Sequence, residues 1–331
     1  MKTGKVSESI LRRSVLKKCT FRHPQVICGA GIGNDSVLLN VKEKEVVSAS
    51  THTAVLHFLS DIRYEVEHAM NNLACSGCLS EAVLLSILLP KDCGEDILKQ
   101  IMDEAAAVCQ SWKVQIAGGH TEVSASVLHP VLTVTAFGAA EEETVQIKNA
   151  GPGMDLLMTG SAGLEGTVLL ARTFEQELRE KFPLDLVEQS KNLVSTICIA
   201  KEALAAKKAG AAALHDLSQD GIFGALWEFC EGASVGMEAD LRKIPIRQET
   251  IEICEFFGIN PYGMRSGGSL LIAAADGAAM KAELSRQGIA AEIIGRTTDS
   301  NDRIFRNGSE IRFLDKPSQD ELLKFMEKRG L

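Results

Sequence analysis

Apolar positions along the chain recur with two different periods, and the switches between them outline the elements. Residues Glu45–Ser50 and Val131–Phe137 alternate or run apolar as strands do. Between them, Ile97, Leu98, Ile101, Ala105, Val108 and Cys109 fall on one stripe, the spacing of a helix with a single buried face. A short strand over Lys113–Ala117 is predicted to stop at Gly118-Gly119. The turn-forming run Asn149-Ala-Gly-Pro-Gly153 is followed by a fresh strand, Asp155–Thr159, and a domain boundary is expected there, dividing 1–150 from 151–331. Beyond it, Leu184–Ala209 reads as one or two helices closing on Lys207, Lys208 and Gly210. A helix over Ser218–Glu231 turns Ile222, Leu226, Phe229 and Cys230 inward. Strands follow at Ser269–Ala275 and Ala291–Gly295, and Pro317-Ser-Gln-Asp-Glu321 opens a last helix with a capping box. The expected fold class is α/β (α+β) in two domains.

Composition narrows the function. The 331 residues are 45% hydrophobic and 5% aromatic, and 35 basic against 44 acidic side chains leave a net charge of −9. An acidic chain with few aromatics lacks both the phosphate-binding charge and the stacking platforms of a nucleic-acid binder. No apolar run reaches membrane-spanning length, and the N-terminus lacks a secretory hydrophobic segment. Nine scattered cysteines, most among apolar neighbours, read as reduced core thiols, Cys75-x-x-Cys78 included. A cytoplasmic protein is expected.

Three loops carry candidate chemistry. Cys28-Gly29-Ala30-Gly31-Ile32-Gly33-Asn34-Asp35 runs into the apolar stretch Ser36–Asn40 instead of a helix, so the dinucleotide fingerprint fails, and no P-loop occurs. The loop is either a turn or a phosphate site. Gly118-Gly119-His120-Thr121-Glu122 brings polar groups to an expected strand end, as a ligand loop or as a tight turn. His215-Asp216-Leu217-Ser218-Gln219-Asp220-Gly221 opens a helix, with Asp216 or Ser218 as an N-cap or a ligand.

Taken in order, these segments resemble the superfamily of aminoimidazole ribonucleotide (AIR) synthetase, thiamine monophosphate kinase, selenophosphate synthetase and the hydrogenase-maturation protein HypE, and above all the HypE-like, AIR-synthase-related proteins. The resemblance also covers Gly4-Lys5, Asn71-Asn72-Leu73-Ala74, Glu165–Arg172, Ser266–Ile272 and Ile293–Arg296. It implies a two-domain PurM-like fold and a homodimer whose N-terminal domains pair their sheets into a barrel-like core, with ATP near that interface. Residues 1–150 become the ATP-binding and dimerisation domain, and 151–331 the C-terminal domain. Family chemistry spends ATP on an amide, thioamide or carboxamide-type oxygen of a small-molecule or protein acceptor, with Mg²⁺ neutralising the triphosphate. Carried across residue by residue, nucleotide contacts are expected from Lys5, Gly31, Gly33, Asn34, Asp35, Asn72, Gly118, Gly119, His120, Thr121 and Asp216.

The resemblance breaks at the metal. Of four acidic positions, Asp35 and Asp216 stand, while His52 replaces an aspartate and Asn72 another. Imidazole suits softer metals than Mg²⁺, so a weakened Mg·ATP site over Asp35, Asp216 and His52 is expected, and a zinc set of His52, His120 and a cysteine is the alternative. The ending Lys324–Leu331 carries no cysteine, so carbamoyl dehydration on the chain's own tail is not expected. Two readings stay open: an ATP-dependent ligase- or phosphotransferase-type enzyme, or a catalytically impaired nucleotide- or metabolite-binding maturation or regulatory protein.

Overall fold

Strict alternation builds the first sheet. The computed structural model describes residues 4–5, 8–28, 30, 38–39, 41, 45–57, 62–141, 145–317 and 319–330, so Gly31, Gly33, Asn34 and Asp35 lie outside the described residues. Two compact units form, one from Met1–Ala74 with Cys78–Thr144, the other from Cys75–Gly77 with Val145–Leu331.

The first unit contains β1 (Gly4–Lys5), α1 (Glu8–Ile10) prolonged by helical turns through Lys18, the ribbon of β2 (Val26–Cys28) and β3 (Leu38–Leu39), then β4 (Glu45–Val55), α2 (Ile62–Cys75), β5 (Ala82–Pro90), α3 (Glu95–Ser111), β6 (Gln115–Ser124) and β7 (Val131–Glu141). The five-stranded sheet has the order β1-β6-β5-β7-β4. Only β5 and β6 run parallel, and α3 is their crossover. Of the stripe read from the sequence, Leu98, Ile101, Ala105, Val108 and Cys109 are buried on α3, joined by Met102, while Ile97 is half-buried. Cross-strand register sorts the sheet into two faces. The inner face stacks Val83, Leu85, Ile87 and Leu89 beside Leu132, Val134 and Ala136, all buried. Burying each of the Val, Leu and Ile side chains contributes roughly 1.5–3 kcal/mol. The outer face carries Leu84, Ser86, Thr133, Thr135, Thr51, Thr53 and Val55, which stay partly or fully exposed.

One expectation fails here. The strand expected to end at Gly118-Gly119 continues to Ser124 as β6, with both glycines inside it. Gly119 takes φ +145 two residues beyond the register irregularity at Ala117, and a Cβ there would fall on the Leu85 carbonyl. The glycine is required by the neighbouring backbone, not by a turn.

The second unit contains β8 (Asp155–Thr159), α4 (Leu164–Thr173), α5 (Glu175–Lys181), α6 (Leu184–Lys191), α7 (Ala200–Lys208), β9 (Ala213–Leu217), α8 (Gly221–Ala233), β10 (Gly236–Asp240), α9 (Gln248–Phe257), β11 (Ser269–Ala274), α10 (Gly277–Arg286), β12 (Ala291–Thr298), β13 (Arg303–Asn307), β14 (Glu310–Phe313) and α11 (Glu321–Lys328). Its seven strands lie in the order β14-β13-β10-β12-β8-β11-β9. Ile222, Leu226, Phe229 and Cys230 of α8 pack with Leu156, Met158, Leu217, Leu271 and Ala273 of the sheet, the inward set expected of that helix. Two helix starts differ from expectation. Asp220 adopts a left-handed φ of +61, so α8 begins at Gly221 rather than Ser218, and neither Asp216 nor Ser218 is its N-cap. The cap of α11 is Asp320; Ser318 lies outside the described residues. Among the described residues no helix is long and apolar enough to cross a membrane.

Candidate functional site

The first unit places His52 and Asn72, the two positions where the resemblance leads one to expect acidic residues, in one seam. Helix α2 is buried on nearly every side, with Tyr64, Val66, Ala69, Met70 and Leu73 accompanied by buried Glu65, Glu67, His68 and Asn71. Glu65, His68 and Asn72 recur at three- and four-residue steps and so share a stripe. That stripe meets Ser50 and His52 on the inner face of β4. His52 Nε2 lies 2.6 Å from Glu65 Oε2, and the His52 and His68 rings stand 5.1 Å apart, tilted by 37°. Asn72 Nδ2 donates to Ser50 Oγ at 2.9 Å. On another side of α2, Trp112 Nε1 donates to Glu67 Oε1 at 3.2 Å.

Positions 52 and 72 bring no carboxylate of their own to Mg²⁺, and Asp35 lies outside the described residues. Magnesium asks for several hard, preferably anionic oxygens in octahedral array. Position 52 offers an imidazole already bonded to a carboxylate, and position 72 a neutral amide bonded to a hydroxyl. Among the described residues, no three His, Cys, Asp or Glu side chains gather as a metal ion would need.

The alternative zinc set fails on geometry. His52 pairs in register with Val134, and Val134 with Leu85, on the inner face. His120 pairs with Ser86, and Ser86 with Thr133, on the outer face. The two imidazoles therefore point to opposite sides of one sheet. His120 is exposed and lies 3.1 Å from Glu122 Oε2, whereas Thr121, one residue on, turns inward and is buried. Gly118, Gly119, His120 and Thr121 thus occupy consecutive strand positions that alternate between faces. Lys5 is paired in backbone register with Glu122 at the sheet edge.

In the second unit, Asp216 is buried on β9, its Oδ1 4.0 Å from Cys75 Sγ. Burial first, and Asp216 second, push the Cys75 thiol well above its ordinary pKa. His215 faces the opposite side of the sheet and lies 3.3 Å from Glu228 Oε2 of α8. Beyond β9 the chain turns through Ser218–Asp220, where Ser218 O accepts from Ser266 N at 3.0 Å and Asp220 N donates to Asp320 Oδ2 at 2.9 Å.

Two side chains of these arrangements escaped the sequence reading. Glu65 lies on a helix buried on nearly every side, so no clear amphipathic break marks it. Asp320 acts across a separation of 100 residues, and its only local signal is the cap motif.

Comparison with known proteins agrees with this architecture. Residues 33–140 match the N-terminal domain of AIR synthase related proteins and residues 151–307 their C-terminal domain. A hydrogenase expression/formation protein of Methanocaldococcus jannaschii is 26% identical over 304 residues, covering 89% of this chain and 88% of that protein. The crystal structure of Escherichia coli HypE, a hydrogenase maturation protein, superposes with a TM-score of 0.78 at 17% identity over 95% of this chain and 99% of the other. A HypE structure in complex with ATP superposes with a TM-score of 0.75 at 18% identity, covering 97% of each chain. The ordered loops, the two matched domains and the shared fold lead to one assignment: the chain belongs to the AIR synthase related family, is HypE-like, and has the two-domain PurM-like α/β fold.

Proposed function

We propose that this chain is a HypE-like nucleotide-binding protein that takes ATP with little help from Mg²⁺ and acts as a maturation or regulatory component rather than as a phosphotransferase. The observation that carries this reading is the seam of His52–Glu65 and Asn72–Ser50. Two positions where the family resemblance calls for metal-binding carboxylates carry an imidazole and an amide, both already engaged in hydrogen bonds. Transfer of a γ-phosphoryl group to an amide or carboxamide-type oxygen requires its charge to be neutralised as it moves. The ATP-bound HypE relative supports the nucleotide half of the proposal. Lys5, the loop of Gly31, Gly33, Asn34 and Asp35, and residues Gly118–Thr121 are assigned to the nucleotide by the resemblance. In this reading residues 1–150 form the ATP-binding and dimerisation domain, 151–331 form the C-terminal domain, and the resemblance assigns Asp216 of the latter to the nucleotide as well.

Dimerisation through the outer face of the five-stranded sheet belongs to the same proposal. That face carries Thr51–Thr135 and Thr53–Thr133 hydroxyl pairs at 3.0 and 2.9 Å, with Val47 and Val55 about half exposed. A sheet face whose hydroxyl and valine positions on β4 and β7 are left open to water is a surface that a second copy would cover.

ADP release measured beside ATP binding tests the proposal. Binding without ADP release above the protein-free rate is expected; Mg²⁺-dependent turnover would overturn it. Light scattering after gel filtration should give a dimer that Val55→Arg dissociates, and a monomeric wild type would remove the dimer.

A further inference from the structure

The loop after β9 is held in a costly conformation from far along the chain. Asp220 and Gly221 have successive positive φ values of +61 and +58. Aspartate enters that region more readily than most side chains but less readily than glycine, so contacts around it bias which conformation it keeps. Asp220 does not pin itself by capping α8, because that helix start has no side-chain cap. Its backbone N–H donates to Asp320 Oδ2 at 2.9 Å, a bond that fixes the direction of the amide.

Asp320 serves two elements at once. While Oδ2 holds Asp220, Oδ1 accepts from Leu322 N at 2.8 Å and Leu323 N at 3.3 Å, capping α11. The side chain is 1% exposed, so neither bond competes freely with water. Helix α11 is anchored separately. Phe325 packs with Phe257 and Phe174 at ring separations of 5.0 and 5.4 Å. Arg329 Nη1 pairs with Glu177 at 2.9 Å while its guanidinium lies over the same rings. One carboxylate therefore joins a docked C-terminal helix to the loop that follows Asp216, the residue of the second unit that the resemblance assigns to the nucleotide.

We infer that Asp320 is a positioning residue for the nucleotide site, fixing the Ser218–Gly221 loop beside Asp216 through the Asp220 amide. This rests on the nucleotide-binding reading above. Asp320 touches no ligand in this scheme and acts through the backbone it holds.

The test compares wild type, Asp320→Ala, Asp320→Ala with Asp220→Gly, and Leu322→Ala, each by ATP titration calorimetry, Tm and amide exchange of the 216–221 segment. Asp320→Ala should weaken ATP by about tenfold. Adding Asp220→Gly should restore most of that loss, because glycine adopts a positive φ unaided. Leu322→Ala removes a buried side chain of α11 but leaves the carboxylate, so it should lower Tm while keeping ATP affinity and loop exchange at wild-type levels. The inference is overturned if Asp320→Ala binds ATP as wild type does, if Leu322→Ala loses as much affinity, or if Asp220→Gly restores nothing. Should wild type bind no ATP, the nucleotide reading falls and the inference's link to that site falls with it. The exchange data still decide whether Asp320 holds the loop: faster exchange in Asp320→Ala alone supports it, and equal exchange in Asp320→Ala and Leu322→Ala refutes it.

Discussion

His52 Nε2 sits 2.6 Å from Glu65 Oε2, joining the inner face of β4 to a helix buried on almost all sides. A carboxylate that is 5% exposed depends on such contacts, because desolvation without them is costly. His52→Ala should therefore cost roughly 1–3 kcal/mol in urea unfolding, the range for depriving a buried acceptor of a partner. His52→Asp, the residue type that the resemblance leads one to expect there, should also lower Tm, since it sets a second carboxylate against Glu65. A His52→Asp protein as stable as wild type without added metal would contradict the structural role of the pair.

Gly119 makes a second prediction. Its φ of +145 and the closeness of the Leu85 carbonyl leave no room for a side chain. Gly119→Ala should lose on the order of 3 kcal/mol or fail to fold. Gly118→Ala meets only the flexible end of Leu84 at 3.2 Å and should be far milder. Equal losses at the two positions, read from thermal unfolding, would refute the difference.

Thiol chemistry tests the packing of both units. Burial pushes Cys19 and Cys230 up to about 11, and Cys109 and Cys254 up to about 12. Half-buried Cys93 is raised less, by burial and then by Asp96 and Asp92. A disulfide reagent at pH 8 should modify Cys93 before these four, which should react only on unfolding. Peptide mapping that finds Cys109 or Cys254 labelled as fast as Cys93 would count against the packing.

Asp320 predicts a pH dependence. Burial raises its carboxyl pKa, partly countered by Arg265 and by the backbone donors of Asp220, Leu322 and Leu323. The folded chain thus holds this proton more tightly than the unfolded chain, whose aspartates titrate near about 3.9. Between that pH and the raised folded value, stability falls as pH rises, and above it the cost is constant. Asp320→Asn has no such titration, so wild type should gain Tm relative to it as pH is lowered from 7 towards about 4. A Tm difference that does not change with pH would contradict the raised value.

Much of this was legible in local pattern. The buried stripe of α3 from Leu98 to Cys109 and the inward set of α8 follow from spacing alone, because a single face of each decides its packing. Gly118-Gly119 misled for a physical reason: glycine marks turns by local propensity, but here a neighbouring strand's carbonyl demands it inside β6. His52 and Asn72 were legible as departures, yet their partners Glu65 and Ser50 were not, since pairing of strand and helix faces is set by tertiary packing. The Asp220–Asp320 bond lies beyond any local signal. The parity of His52 and His120 relative to the sheet required the register of β4, β7, β5 and β6 together.

Calorimetric titration of the full chain with ATP, once in EDTA and once in millimolar Mg²⁺, bears most directly on the proposal that nucleotide binding here is largely free of the family's metal. The two affinities should agree within about threefold. Binding that appears only with Mg²⁺, or no binding in either buffer, would contradict it.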